Sequence, residues 1–121
     1  MRKSILVVDD DLEITHIIQD ILKSDYEVII ANDGLKAMEC SKSSKIDLIL
    51  MDLHLPIFSG FWFCDAFKRK PETRDIPIIV VSGLTSPEDV KKAYQVGADG
   101  FLKKPFRSHE LLEAVQKAIV A

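Results

Sequence analysis

The run Leu48-Ile49-Leu50-Met51 ends abruptly on Asp52, and its reading decides the fold. Four consecutive apolar residues lack the period-two pattern of a half-solvated strand. Such a run suits a strand covered on both faces, as in a parallel sheet flanked by helices. Ile5-Leu6-Val7-Val8 and Ile78-Ile79-Val80-Val81 share the form. Val28-Ile29-Ile30-Ala31 and Phe101-Leu102 are shorter or more polar at their margins, which places strands 2 and 5 at the sheet edges.

Helical periodicity fills the intervals. Ile14, Ile17, Ile18, Ile21 and Leu22 fall at i, i+3, i+4, i+7 and i+8, predicting one apolar stripe on helix 1 that packs on the sheet. Helix 2 is expected from about Gly34 through Ser41, with Leu35, Ala37 and Met38 inward and Asn32 or Asp33 as N-cap. Helix 3 follows Gly60. Ser86-Pro87-Glu88-Asp89 supplies helix 4 with an N-cap, a proline at N1 and an acidic capping-box partner, and Gly97 suits its stop. Helix 5 begins near Ser108 and turns Leu111, Leu112, Val115 and Ile119 inward. Five βα units predict an α/β fold: a doubly wound, five-stranded parallel sheet with five helices on both faces. Periodicity leaves two strand orders open.

A chain of 121 residues is the size of one domain, and no linker, repeat or low-complexity tract divides residues 1–121. With 47% hydrophobic and 29% charged residues, the balance is globular. Sixteen Lys and Arg against 19 Asp and Glu give a net charge of -3, no footprint for direct nucleic-acid binding. No apolar run approaches the ~20 residues of a membrane span, and Met1-Arg2-Lys3 opens no secretory leader, so the expected compartment is the cytoplasm. Cys40 and Cys64 lack metal-ligand spacing with each other or with His16, His54 and His109, and read as buried or half-buried thiols without a disulfide. Phe61, Trp62, Phe63 and Phe67 crowd helix 3; core packing with a half-covered Trp62 outweighs a partner site.

Ligands in such sheets bind beyond the carboxyl ends of the strands. Those ends carry Asp9-Asp10-Asp11, Asp52, Ser82 and Lys103-Lys104-Pro105. An aspartate after a strand is commonly a helix cap and a terminal lysine is commonly solvated. Several carboxylates, a hydroxyl and a lysine at one edge instead suit a hard divalent cation and a phosphoryl group. Asp11 is expected to begin helix 1, and Lys103, on the opposite face of the strand from Lys104, to be solvated.

Val7-Val8-Asp9-Asp10, Met51-Asp52-Leu53-His54-Leu55-Pro56 with Gly60 following, Ile78 through Gly83, and Phe101-Leu102-Lys103-Lys104-Pro105-Phe106 resemble, in order, the motifs of the receiver-domain family of two-component signalling. The resemblance covers essentially the whole chain. It implies the flavodoxin-like order 2-1-3-4-5, the order of the chemotaxis receiver. It further implies that Asp52 accepts a phosphoryl group from a sensor histidine kinase or histidine phosphotransfer protein. Mg²⁺, with Mn²⁺ as a substitute, would be held by Asp10, Asp52 and the His54 backbone carbonyl, with Asp9 acting through water. Lys104 would contact the phosphoryl oxygens, across a cis bond to Pro105. Ser82 and Phe101 would switch a helix 4–strand 5–helix 5 surface, read by a downstream protein or an output domain beyond this chain. The assembly implied is a monomer or a phosphorylation-dependent dimer. His54 and Leu84, two residues beyond Asp52 and Ser82, would tune the phosphorylated lifetime.

Two readings compete. Asp9 and Asp11 form a D-x-D after an apolar strand, as in Mg²⁺-dependent haloacid-dehalogenase phosphatases, although only seventeen residues follow Lys104. A receiver-shaped scaffold that is never phosphorylated is the other. Neither a G-x-G-x-x-G nor a Walker motif is present.

Overall fold

A computed structural model describes residues 2–120; Met1 and Ala121, the bounds of the expected domain, lie outside them. The elements alternate as β1 (Ser4–Val8), α1 (Leu12–Leu22), β2 (Glu27–Ala31), α2 (Gly34–Ser43), β3 (Leu48–Met51), α3 (Gly60–Arg69), β4 (Ile78–Ser82), α4 (Pro87–Gln95), β5 (Gly100–Lys103) and α5 (Ser108–Val120). All pairings are parallel, in the order β2-β1-β3-β4-β5. Strands 2 and 5 therefore stand at the edges, as their more polar margins required.

The unbroken apolar runs divide their side chains between two cores. Leu6, Val8, Ile49, Met51, Ile78 and Val80 face Ala37, Phe63, Phe67 and Ala93 on α2, α3 and α4. Their neighbours Ile5, Val7, Leu48, Leu50, Ile79 and Val81 face Ile18 and Leu22 on α1 and Leu111 and Val115 on α5. Period-two alternation is thus present, but both faces are apolar. Truncating Phe63 or Phe67, each 1% exposed, would cost about 3–5 kcal/mol.

Side-chain caps start α1, α2, α3 and α4. Asp11 accepts from the Glu13 and Ile14 amides, Asp33 from Lys36, Ser59 from Trp62 and Ser86 from Asp89. At α4 the Asp89 carboxylate accepts from the Ser86 hydroxyl, at 2.8 Å, rather than from its backbone amide, so the expected capping box closes side chain to side chain. Gly97 takes φ 106 after that helix, a conformation open to glycine.

Three expectations are corrected. Ile17 is 48% exposed and Leu35 53%, so neither belongs to its helix's inward face. Thr15 is buried on α1, its hydroxyl donating to the Leu12 carbonyl, which removes the penalty for burying it. Helix 2 runs two residues past Ser41. Trp62 is 47% exposed and stacks on Phe58 with ring centres 4.7 Å apart, while Phe63 and Phe67 are core. Both cysteines are free, and burial pushes the Cys64 thiol up to about 12, leaving it unreactive. Among the described residues no helix is long and apolar enough to cross a membrane.

Candidate functional site

Parallel register brings the ends of β1 and β3 side by side: Val8 pairs with Met51, and the Asp52 amide donates to the Val8 carbonyl at 2.9 Å. The next residue on β1 is Asp9, so two carboxylates emerge together. Asp9 is 2% exposed and Asp52 6%, whereas Asp10 is exposed. Carboxylate oxygens of Asp9, Asp10 and Asp52 lie within 4.8 Å of one another. Asp11 turns away to cap α1, and its amide donates to Asp9 at 2.9 Å, which orients that carboxylate.

Lys104 closes the cluster from β5. Its Nζ lies 2.8 Å from Asp9 and 3.4 Å from Asp52, and the Lys104–Pro105 bond is cis, as the resemblance implied. The Lys104 amide donates to the Ser82 carbonyl at 2.9 Å, tying the ends of β4 and β5 together. Lys103 is exposed, as expected.

The electrostatics follow from burial. Burial, and after it the charge of Asp9, pushes the Asp52 carboxyl up to about 6 against the opposing pull of Lys104 and a backbone hydrogen bond from His54. Burial pulls the Lys104 ammonium down, but the hydrogen bond to Asp9 and the fields of Asp52 and Asp9 outweigh it, so the net shift is upward. Three carboxylates against one ammonium leave two negative charges unmatched. A hard divalent cation with oxygen ligands meets that deficit.

Ser82 is fully buried and its Oγ accepts from the Leu84 amide at 3.0 Å. Phe101 and Leu84 are partly buried against the core on the α2–α4 side, and the His54 side chain is exposed. Gly60 matters more than its place in a motif suggested. A Cβ there would sit 2.1 Å from the Asp52 carbonyl oxygen, so only glycine lets α3 start against the Asp52 backbone. Ile57, in the same loop, takes φ 72 and is 86% exposed. A β-branched residue with positive φ is a strained outlier, and no sequence signal pointed to it.

The sequence matches the response regulator receiver domain family over residues 5–116. It is 35% identical over 113 residues to the DNA-binding dual master transcriptional regulator RpaA of Synechocystis, covering 93% of this chain and 47% of that protein. The chain spans about half the length of most of the curated relatives it matches. Among solved structures, the chemotaxis protein CheY4 of Vibrio cholerae is similar, with TM-score 0.93, 32% identity and coverage of 98% of this chain and 99% of that one. So is the receiver domain of sensor histidine kinase PA1611 of Pseudomonas aeruginosa, with a magnesium ion coordinated in its active-site cleft. Its TM-score is 0.91 at 29% identity, covering 100% of both chains.

Proposed function

This chain belongs to the response regulator receiver domain family of two-component signalling, and we propose that Asp52 is its phosphoacceptor. The observation that carries this reading is the gathering of Asp9, Asp10, Asp52 and Lys104 from three strand ends into one under-compensated acidic cluster. Family membership leaves the phosphatase reading without support.

With its pKa at about 6, Asp52 is mostly ionised at neutral pH and needs no general base. Its oxygen attacks the phosphorus of a phosphohistidine on a sensor histidine kinase or histidine phosphotransfer protein. The P–N bond breaks, the imidazole leaves with the electron pair, and an acyl phosphate remains. Lys104, already pointing at Asp9 and Asp52, donates to the transferred oxygens. Mg²⁺ or Mn²⁺ fits the all-oxygen donor set: Asp10, Asp52 and the His54 carbonyl would hold it, with Asp9 acting through water. When bound, the ion supplies the positive charge that lets three carboxylates share a site with a phosphoryl group.

The readout runs through Ser82. Its hydroxyl gives up the Leu84 amide and donates to a phosphoryl oxygen, and Phe101 moves into the vacated space. The faces of α4, β5 and α5 are thereby biased between two states. A downstream protein, or an output domain of a longer chain, reads that face in the cytoplasm, and the receiver acts as a monomer or as a dimer formed on phosphorylation. The chain promotes its own phosphorylation and slow dephosphorylation rather than turning over a substrate. His54→Ala and Leu84→Glu are expected to alter the phosphorylated lifetime; unchanged hydrolysis in both would remove these positions from the reading.

Incubation with a small acyl phosphate, read by intact mass, tests the proposal. Wild type gains one phosphoryl group with Mg²⁺ and little without it, and Asp52→Asn gains none. A wild type that never gains mass would leave an unphosphorylated scaffold instead.

A further inference from the structure

Of the seven large apolar side chains left exposed among the described residues, four gather on one surface: Leu35 at 53%, Ile57 at 86%, Phe58 at 41% and Trp62 at 47%. They come from the start of α2, the loop between β3 and α3, and the first turn of α3, and none belongs to α4, β5 or α5. Phe58 and Trp62 stack, and the Phe63 ring stands edge-on to both. Together the four expose about 400 Å² of apolar surface, the size of the largest patch on a typical monomer, which is often functional.

That surface carries both a pit and a knob. The pit, of about 60 Å³, lies between the start of α2 and the β3–α3 loop and has room for the tip of one aliphatic side chain. Gly34 and Phe63 meet in it: a Cβ on Gly34 would lie 2.0 Å from the Phe63 ring, so glycine is what lets that ring seat here. Ile57 is the knob. Its φ of 72, with the Phe58 amide donating to the Pro56 carbonyl at 2.8 Å, makes a γ-turn of the strained, positive-φ kind. The Gly60 amide, donating to the Leu53 carbonyl at 3.0 Å, pins the loop that holds it. Strain at a side chain that internal packing leaves 86% exposed points to a surface used for binding. Asp33 is the one charged residue lining the pit, and its carboxylate already accepts from the Lys36 amide at 2.8 Å. The patch therefore selects by shape and apolarity, not by charge.

We propose that the occupant is a second copy of this chain, and that two copies pair through this face without phosphorylation. A different protein would have to bring its own knob, whereas here knob and pit lie side by side. A two-fold axis between them sets each Ile57 in the pit of the other copy, the isologous arrangement that a self-complementary surface allows. The area sets the strength. A standard interface buries about 800 Å² per partner, roughly twice what this patch offers, so the pair is weak, with a Kd of roughly 0.1–1 mM. Because the face takes nothing from α4, β5 or α5, that surface stays open in both copies. The pairing uses none of the Asp52 chemistry and does not rest on the proposed function.

Trp62 is the single tryptophan of the chain, so the face carries its own reporter. The unphosphorylated protein, taken from about 20 μM to about 2 mM, is followed by NMR translational diffusion and by front-face tryptophan fluorescence. Diffusion should slow toward that of a dimer, and the emission should shift to the blue in step as Trp62 leaves water. Asp52→Asn should behave as wild type does. Ile57→Asn, which relaxes the turn and removes the knob, should raise Kd about tenfold or more in a protein no less stable than wild type. Leu35→Lys, at the exposed start of α2, should weaken pairing too by setting a charge in the contact. A monomer at every concentration overturns the proposal and leaves the patch to a different protein. Pairing seen only after phosphorylation, a dimer whose Trp62 emission does not move, or one that both variants retain also overturns it. Because the titrations use no phosphoryl donor, a failure of Asp52 to be labelled would leave their result standing.

Discussion

Replacing Asp52 by asparagine should stabilise the cation-free protein, by an amount that grows with pH. Burial, then Asp9, raises the Asp52 carboxyl from its ordinary 3.8 to about 6 in the fold. Between those values the folded state holds a proton that the unfolded chain has released, so stability falls as pH rises through the window. Above it, the ionised carboxylate costs the fold about 3 kcal/mol, from a shift of about two units at about 1.4 kcal/mol each. Asparagine keeps the shape and cannot ionise. Asp52→Asn should therefore gain about 2–3 kcal/mol near pH 7.5 and almost nothing near pH 4. With a urea slope of about 1–3 kcal/mol per molar, the midpoint should move by about 1–2 M. Urea unfolding in EDTA across pH, followed by far-ultraviolet circular dichroism, reads this directly. A variant no more stable than wild type near neutrality, or a gain independent of pH, would refute the claim that Asp52 is held ionised against its surroundings.

Lys104→Met leaves the buried Asp9 and Asp52 without their ammonium; acyl-phosphate labelling should fall at least tenfold and the Asp52 pKa should rise above about 6, read by carboxyl-carbon NMR titration. Labelling at the wild-type rate would count against Lys104 as the phosphoryl contact. Gly60→Ala forces a Cβ toward the Asp52 carbonyl, so it should cost about 1–3 kcal/mol in urea unfolding and slow labelling as well; a neutral result would mean the α3 start yields freely. Ile57→Asn should raise stability by about 1 kcal/mol, because asparagine tolerates positive φ and the 86%-exposed isoleucine contributes little burial. A loss of stability would show that Ile57 makes contacts worth more than its strain.

The sheet was legible because Leu48–Met51, Ile5–Val8 and Ile78–Val81 are apolar without interruption, a pattern only two-sided burial explains. Strand order was not, since the same runs serve either winding; it came from the resemblance and is the order observed. Apolar spacing marked the stripe on α1 but could not find its margin, where Ile17 falls outside and Thr15, with its hydroxyl satisfied, falls inside. Leu35 failed for a related reason: α2 is mostly polar, and one leucine at its start does not define a face. At the site, the strand-end residues were readable because parallel strands collect their carboxyl ends at one edge. The closer approach of Lys104 to Asp9 than to Asp52, and the hydrogen bond from the Leu84 amide to Ser82, depend on loop paths that no periodicity encodes.

The identity of the acceptor is the point on which the account stands. Acyl-phosphate-treated protein, reduced with borohydride to convert an aspartyl phosphate to homoserine and then digested, reports it by peptide mass. The account predicts homoserine at position 52 alone, formed only when Mg²⁺ was present during labelling. Homoserine at Asp9 or Asp10, or unmodified Asp52 in protein that had gained a phosphoryl group, would contradict it.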